Sequence, residues 1–180
     1  GLTTGRDITG VNLFENVRKQ GALNLDGNSW AEVHDNASLD YDSEVTLETW
    51  IYWTGEGDKG ILGRWHGPAS SRSLMLYAYT SANVSAFYSS IGSATSGTLV
   101  SSQNLSSNNW YHVVFTADGT TNTLYINGVS DNTAAYNSGF YVSDENLEIG
   151  TYQTDENKAH NGPIAQPRIY NRALTAAEVL

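Results

Sequence analysis

Two short stretches hold the side chains with the most chemistry to offer. The first is Arg64-Trp65-His66-Gly67-Pro68, with Arg72 a few residues on. It sets an indole, an imidazole and guanidinium groups beside a Gly-Pro turn. An indole face accepts C–H stacking and planar polar groups bind hydroxyls, so these residues are suited to a sugar-like ligand. Ordinary packing at a strand end would use Trp65 equally well. The second stretch is Tyr152-Gln153-Thr154-Asp155-Glu156-Asn157. Tyr152 and Gln153 extend the ligand-binding set. The carboxylates of Asp155 and Glu156, with the neighbouring amides, are hard oxygen donors and make calcium a candidate. A solvated acidic loop is the competing reading. The carboxylate of Asp26, in Asp26-Gly27, is read as turn chemistry rather than as a calcium ligand.

Signs of catalysis are missing from the same sequence. It has no Cys, which excludes disulfides, cysteine nucleophiles and Cys-ligated zinc. The His residues at 34, 66, 112 and 160 are scattered. There is no His-Glu-x-x-His helix, phosphate loop or Ser nucleophile elbow. A glycosidase needs two carboxylates facing one cleft. Glu48 is alone in its strand, and Asp144, Glu145 and Glu148 fall in a turn and at a strand edge. His112, inside a strand beside Val113, lacks convergent partners and reads as structural. The expectation is a protein that is not an enzyme. A polysaccharide lyase or hydrolase whose His or Tyr residues converge only in space is the remaining catalytic alternative.

The formal net charge of −10 and the pI near 4.6 repel phosphate backbones and anionic membranes. Nucleic acid is therefore not an expected partner, whereas neutral glycans and cations remain open. No apolar run reaches the roughly 18 residues of a membrane helix, so no membrane insertion is expected.

Positioning falls to strands. The 180 residues suit one domain, and 11 Tyr and 5 Trp with abundant Ser, Thr, Asn and Gly read as all-β. Val45 to Trp53 alternates with period two: Val45, Leu47, Thr49, Ile51 and Trp53 share one face, and Thr46, Glu48, Trp50 and Tyr52 the other. Both faces are partly apolar, as in a central strand covered on both sides. Further strands are read at 22–25, 29–33, 61–65, 73–79, 83–88, 97–100, 110–116, 123–130, 146–150 and 162–170. Asp26-Gly27 reads as a hairpin turn, and Asp118-Gly119 and Asn127-Gly128 as tight turns. Tyr77, Tyr79 and Tyr88 offer an alternative aromatic face, although alternation alone does not assign each ring to a side. Only Leu174 to Leu180 is helix-like, with Thr175 and Glu178 spaced as a capping box. Residues 1–20 form an N-terminal linker or edge strand, and 21–180 the domain. Asn36, Asn83 and Asn104 head Asn-x-Ser sequons, which matter only in a glycosylating pathway.

Four blocks occur in order: Ala22-Leu23-Asn24-Leu25-Asp26-Gly27, then Leu47-Glu48-Thr49-Trp50-Ile51, then Asn109-Trp110-Tyr111-His112-Val113-Val114-Phe115-Thr116 with Leu124-Tyr125-Ile126-Asn127-Gly128, and last Asn161-Gly162-Pro163-Ile164 leading to Arg168-Ile169-Tyr170-Asn171-Arg172-Ala173-Leu174. From Gly21 onward the chain resembles the laminin-G-like and pentraxin branch of the concanavalin A-like lectin/glucanase superfamily. The resemblance implies a two-sheet antiparallel jelly-roll sandwich, here with a short C-terminal helix that Arg172 would tie to the body. Many relatives carry an acidic residue where this chain has Ala165, so one calcium ligand of the pattern is missing, and the spacing of the 151–157 stretch is not the family's.

Together these readings describe a non-catalytic, lectin-like carbohydrate-binding module of a larger extracellular or virion-surface protein. Its partner would be a glycan or polysaccharide. The alternative is a structural or adhesion domain of a phage or bacterial surface protein that contacts neighbouring proteins. The start at Gly1 without Met, and the end inside a helix-like stretch, suggest a piece of a longer parent.

Overall fold

A computed structural model describes residues 21–66 and 71–179, with the backbone of Leu2–Thr3. Gly67 and Pro68 of the first candidate stretch, most of the 1–20 segment and Leu180 lie outside the described residues. The strands are β1 (Leu2–Thr3), β2 (Leu23–Asp26), β3 (Ala31–Val33), β4 (Glu44–Trp53), β5 (Lys59–Trp65), β6 (Arg72–Ala78), β7 (Val84–Tyr88), β8 (Gly97–Val100), β9 (Asn109–Asp118), β10 (Thr121–Ile126), β11 (Val129–Ala135), β12 (Leu147–Ile149) and β13 (Asn161–Tyr170). They form a seven-stranded sheet, β1-β3-β12-β5-β6-β7-β8, and a six-stranded sheet, β11-β10-β9-β4-β13-β2. All the pairings are antiparallel. The result is an all-β jelly-roll sandwich.

Period-two alternation decides which side chains enter the space between the sheets. In β4, Val45, Leu47, Ile51 and Trp53 are buried in the main core as the pattern predicts. They meet Leu62, Leu74, Leu76 and Ala86 from the facing sheet, with Phe115 and Leu124 from β9 and β10. The opposite face of the six-stranded sheet is partly covered. Leu174 and Val179, from the chain after β13, cover Val114 and Tyr125, with Tyr170 packed beside them.

Three expectations need correction. Asp26-Gly27 is a tight turn: Gly27 has φ +84°, and the Asp26 carboxylate accepts hydrogen bonds from Asn28 N–H (2.9 Å) and the Ser29 hydroxyl (2.8 Å). It does not close a hairpin, because β2 pairs with β13 in one sheet and β3 with β1 and β12 in the other. Turn chemistry is local and does not encode which sheet the next strand joins. The C-terminal helix reduces to a single turn among the described residues: Thr175 N–H and hydroxyl bond the Glu178 carboxylate within it, and Leu174 before it is anchored to the sheet. So short a helical segment gains too few hydrogen bonds to offset its nucleation cost. Finally, Arg172 bonds Glu178 within that turn (2.9 and 2.8 Å), and Thr46 ties the turn to the body through Arg172 C=O (2.8 Å) and Leu174 N–H (2.9 Å). Among the described residues no helix is long and apolar enough to cross a membrane.

Candidate functional site

The register of the seven-stranded sheet assigns residues to its outer face. Glu32, Glu148, Gly63, Met75, Phe87 and Thr98 lie in one row across β3, β12, β5, β6, β7 and β8. Beside them stand Tyr77 and, past the end of β6, Tyr79. Trp65, Met75 and Tyr77 form a second apolar cluster here, with the partly exposed rings of Tyr79, Phe87 and Tyr152 against it. Tyr77 meets Tyr79, Phe87 and Tyr152 edge-on at centroid distances of 5.1, 5.5 and 5.5 Å. Trp65 lies 6.0 Å from Phe87. Such partly buried rings on a face turned away from the core present both apolar surface and ring edges. Tyr88 belongs to the other side, where it packs on Phe115, Tyr136 and Phe140. Gly63 is required in the row because a Cβ there would run into the Met75 backbone.

Polar groups ring this cluster. The register slips between Arg64 and Trp65, and beyond the slip Arg72 faces Trp65 with its guanidinium 5.7 Å above the indole. On the other side Lys158 sits 5.7 Å over Tyr152 and pairs with Asp58. Asp58 also accepts the Tyr77 hydroxyl. That hydrogen bond to Asp58 raises the Lys158 pKa above the ordinary ammonium value, while burial raises the Tyr152 phenol. The Tyr152 loop is fixed from beneath by Glu148. Its carboxylate accepts Gln153 N–H (2.9 Å) and Thr154 N–H (2.6 Å), holding both residues at positive φ, 61° and 48°. The same carboxylate lies 3.6 Å from the His66 ring and raises the His66 pKa. Glu32, opposite Glu148, is held by Trp30 Nε1–H (2.9 Å) and the Asn146 amide (3.1 Å).

Of the residues singled out from sequence, Trp65, His66, Arg72, Tyr152 and Gln153 therefore come together on one face. Arg64 does not. It is 1% exposed, and its guanidinium binds Leu39 C=O, Glu145 C=O, Ser143 C=O, Asp35 and Asp40. It is a clamp between β5 and the 35–40 and 143–145 segments, with no donor directed to a ligand. Sequence reasoning missed Asp58, Lys158 and Glu148. Only the inward pattern of Leu147 and Ile149 around Glu148 signalled the last, by assigning it to the outer face.

Asp155 and Glu156 follow Gln153 and Thr154 in the same loop. Asp155 Oδ1 accepts Asn157 N–H (2.9 Å) and the Asn157 amide (3.1 Å), capping the short 3-10 turn Glu156–Lys158. Calcium takes roughly six to eight oxygen ligands. Among the described residues no three His, Cys, Asp or Glu side chains converge as a metal site would require. The Asp155 carboxylate is thus engaged as the cap of this turn.

The laminin-G-like family model of the concanavalin A-like lectin/glucanases superfamily matches residues 25–180. The chain belongs to this superfamily. No curated protein matches it in sequence. Among solved structures, this superfamily member is similar to domain 4 of AbnA, an extracellular arabinanase from Geobacillus stearothermophilus, in complex with arabinotriose (TM-score 0.75, 16% identity, 99% of this chain and 85% of that one). It is similar to the binding domain of Paraclostridial Mosquitocidal Protein 1 (TM-score 0.74, 22% identity), covering 99% of this chain but only 46% of that one. A third is the CBM40 of the Ruminococcus gnavus IT-sialidase bound to α2,3 sialyllactose (TM-score 0.70, 16% identity, 88% and 94%). At these identities the likenesses establish the fold.

Proposed function

We propose that the protein is a non-catalytic carbohydrate-binding module of a larger extracellular protein, and that it receives sugar on the outer face of the seven-stranded sheet. The observation that carries this reading is the gathering of Trp65, Tyr77, Tyr79, Phe87 and Tyr152 on that face within a rim of Arg72, His66, Gln153 and Lys158. Aromatic surface takes the C–H face of a sugar ring and the rim takes its hydroxyls. Two of the structural neighbours are described in complex with an oligosaccharide, which supports the same reading.

The carboxylates of the face favour binding over hydrolysis. General acid–base chemistry needs a carboxyl group within reach of the substrate. Both oxygens of Glu148 and both of Glu32 accept N–H groups of the protein, and Glu148 is 1% exposed. They act as struts beneath the site.

A glycan array, followed by calorimetry with the best oligosaccharide, tests the proposal. Binding should weaken roughly tenfold in Tyr79→Ala and in Phe87→Ala. Unchanged affinity in both variants would remove the site from this face, and absence of binding to every glycan would favour a role in contacts with neighbouring proteins.

A further inference from the structure

The cations of the protein are treated unequally. Among the described residues, Lys59, Arg64, Lys158, Arg168 and Arg172 each have a carboxylate within 4.0 Å. Arg72 has none. The one hydrogen bond of its guanidinium runs from Nη1 to Ser93 C=O at 3.5 Å, the limit for such a bond. Its Nε–H is buried and meets no acceptor. A desolvated donor without a partner is costly, and an acceptor that reaches it gains more than it would from a donor exchanging with water. Yet the guanidinium is held in place, lying over Trp65. Its position is thus fixed by stacking, while its hydrogen-bonding capacity is left open.

The carboxylates around it already have hydrogen-bond partners. Asp58 pairs with Lys158, and Glu148 and Glu32 are covered and bonded to N–H groups. Arg72 is then the charged group of this face whose hydrogen-bonding capacity is left unmet. A planar guanidinium matches a carboxylate through two parallel N–H···O bonds, and an ammonium does not.

We infer that the ligand of the aromatic face is a carboxylate-bearing sugar, with the carboxylate on Arg72 and the ring against the adjoining aromatic cluster. The inference rests on the proposed function and adds to it the chemical class of the ligand. Uronic and sialic acids share this chemistry, so matched pairs separate the sources: 3′-sialyllactose against lactose, and trigalacturonate against its methyl ester.

Calorimetry on the full chain should show the acidic member of at least one pair binding roughly tenfold or more tighter than its neutral counterpart. Arg72→Gln should abolish the difference by weakening the acidic member far more than the neutral one, and Arg72→Lys should restore only part of it. The wild-type comparison is decisive even if R72Q fails to fold. Equal affinity for acidic and neutral members, with Tyr79→Ala weakening both, would overturn the inference and leave the binding face standing. Failure of every sugar to bind, in these pairs and on an array of acidic and neutral glycans, would overturn both.

Discussion

The two outward faces of the sandwich are both rich in aromatic and charged side chains, but they differ in how those groups are satisfied. On the six-stranded sheet, Glu48 accepts hydrogen bonds from His112 (3.0 Å), Arg168 (3.1 Å) and Tyr170 (3.0 Å), and Trp50 stacks on the His112 ring at 4.9 Å. Burial opposes ionisation of Glu48, yet His112, Tyr170 and Arg168 outweigh it and hold its pKa below the ordinary value. The chain after β13 then covers the neighbouring apolar residues. On the seven-stranded sheet Glu32 and Glu148 are buried struts, the rings of Tyr79, Phe87 and Tyr152 stay partly exposed, and Arg72 lacks a carboxylate. A buried polar network that is fully paired stabilises one structure, whereas an unpaired cation beside accessible rings is an arrangement for a ligand. The presence of His, Glu, Tyr and Arg together does not by itself mark a site; their unfilled bonding capacity does.

Breaking the paired face should have the largest effect. Glu48→Ala leaves His112, Arg168 and Tyr170 without their common partner and should destabilise the protein by about 3 kcal/mol in denaturant melts. Sugar affinity of the folded fraction should not change. If Glu48→Ala altered affinity more than stability, the two faces would have been assigned the wrong way round.

Acid should produce an effect of similar size from a third place. Burial lowers the pKa of His160 from 6.5 to about 4, and its Nε2–H donates to Tyr52 C=O (3.2 Å). The unfolded chain takes up a proton near pH 6.5 while the folded one resists until about pH 4. Stability should therefore fall as pH drops through that window, by about 3 kcal/mol, and level off below it. His160→Gln should flatten this slope. An unchanged slope would show that other groups carry the acid sensitivity.

The smallest expected effect is that of calcium. With Asp155 engaged as a cap, millimolar calcium or chelator should move the melting temperature by no more than about 1 °C. A shift of many degrees would show that the 151–157 loop closes around a metal.

Much of this architecture was legible in the sequence, for reasons specific to each element. β4 could be read residue by residue because its buried face is apolar at every second position except Thr49. β11 could not: Ser130, Asp131, Asn132 and Thr133 lie on an edge strand and follow no apolar alternation. For the candidate site, residue type was enough to choose Trp65, His66, Arg72, Tyr152 and Gln153. It did not separate Arg64 from Arg72, because the register slip beyond Arg64 sends adjacent guanidinium groups to opposite destinations. Glu148 was hidden because its main donors are backbone N–H groups of the loop that follows its strand, and backbone donors are the same in every sequence.

The most direct test of the account is a titration of isotopically labelled protein with an oligosaccharide that binds on the array, followed by NMR. The largest shifts are predicted at the Trp65 indole N–H, the Arg72 Nε–H and the rings of Tyr79, Phe87 and Tyr152. Shifts concentrated instead on Trp50, Tyr52, Trp110 and His112 would contradict it and place the ligand on the opposite face.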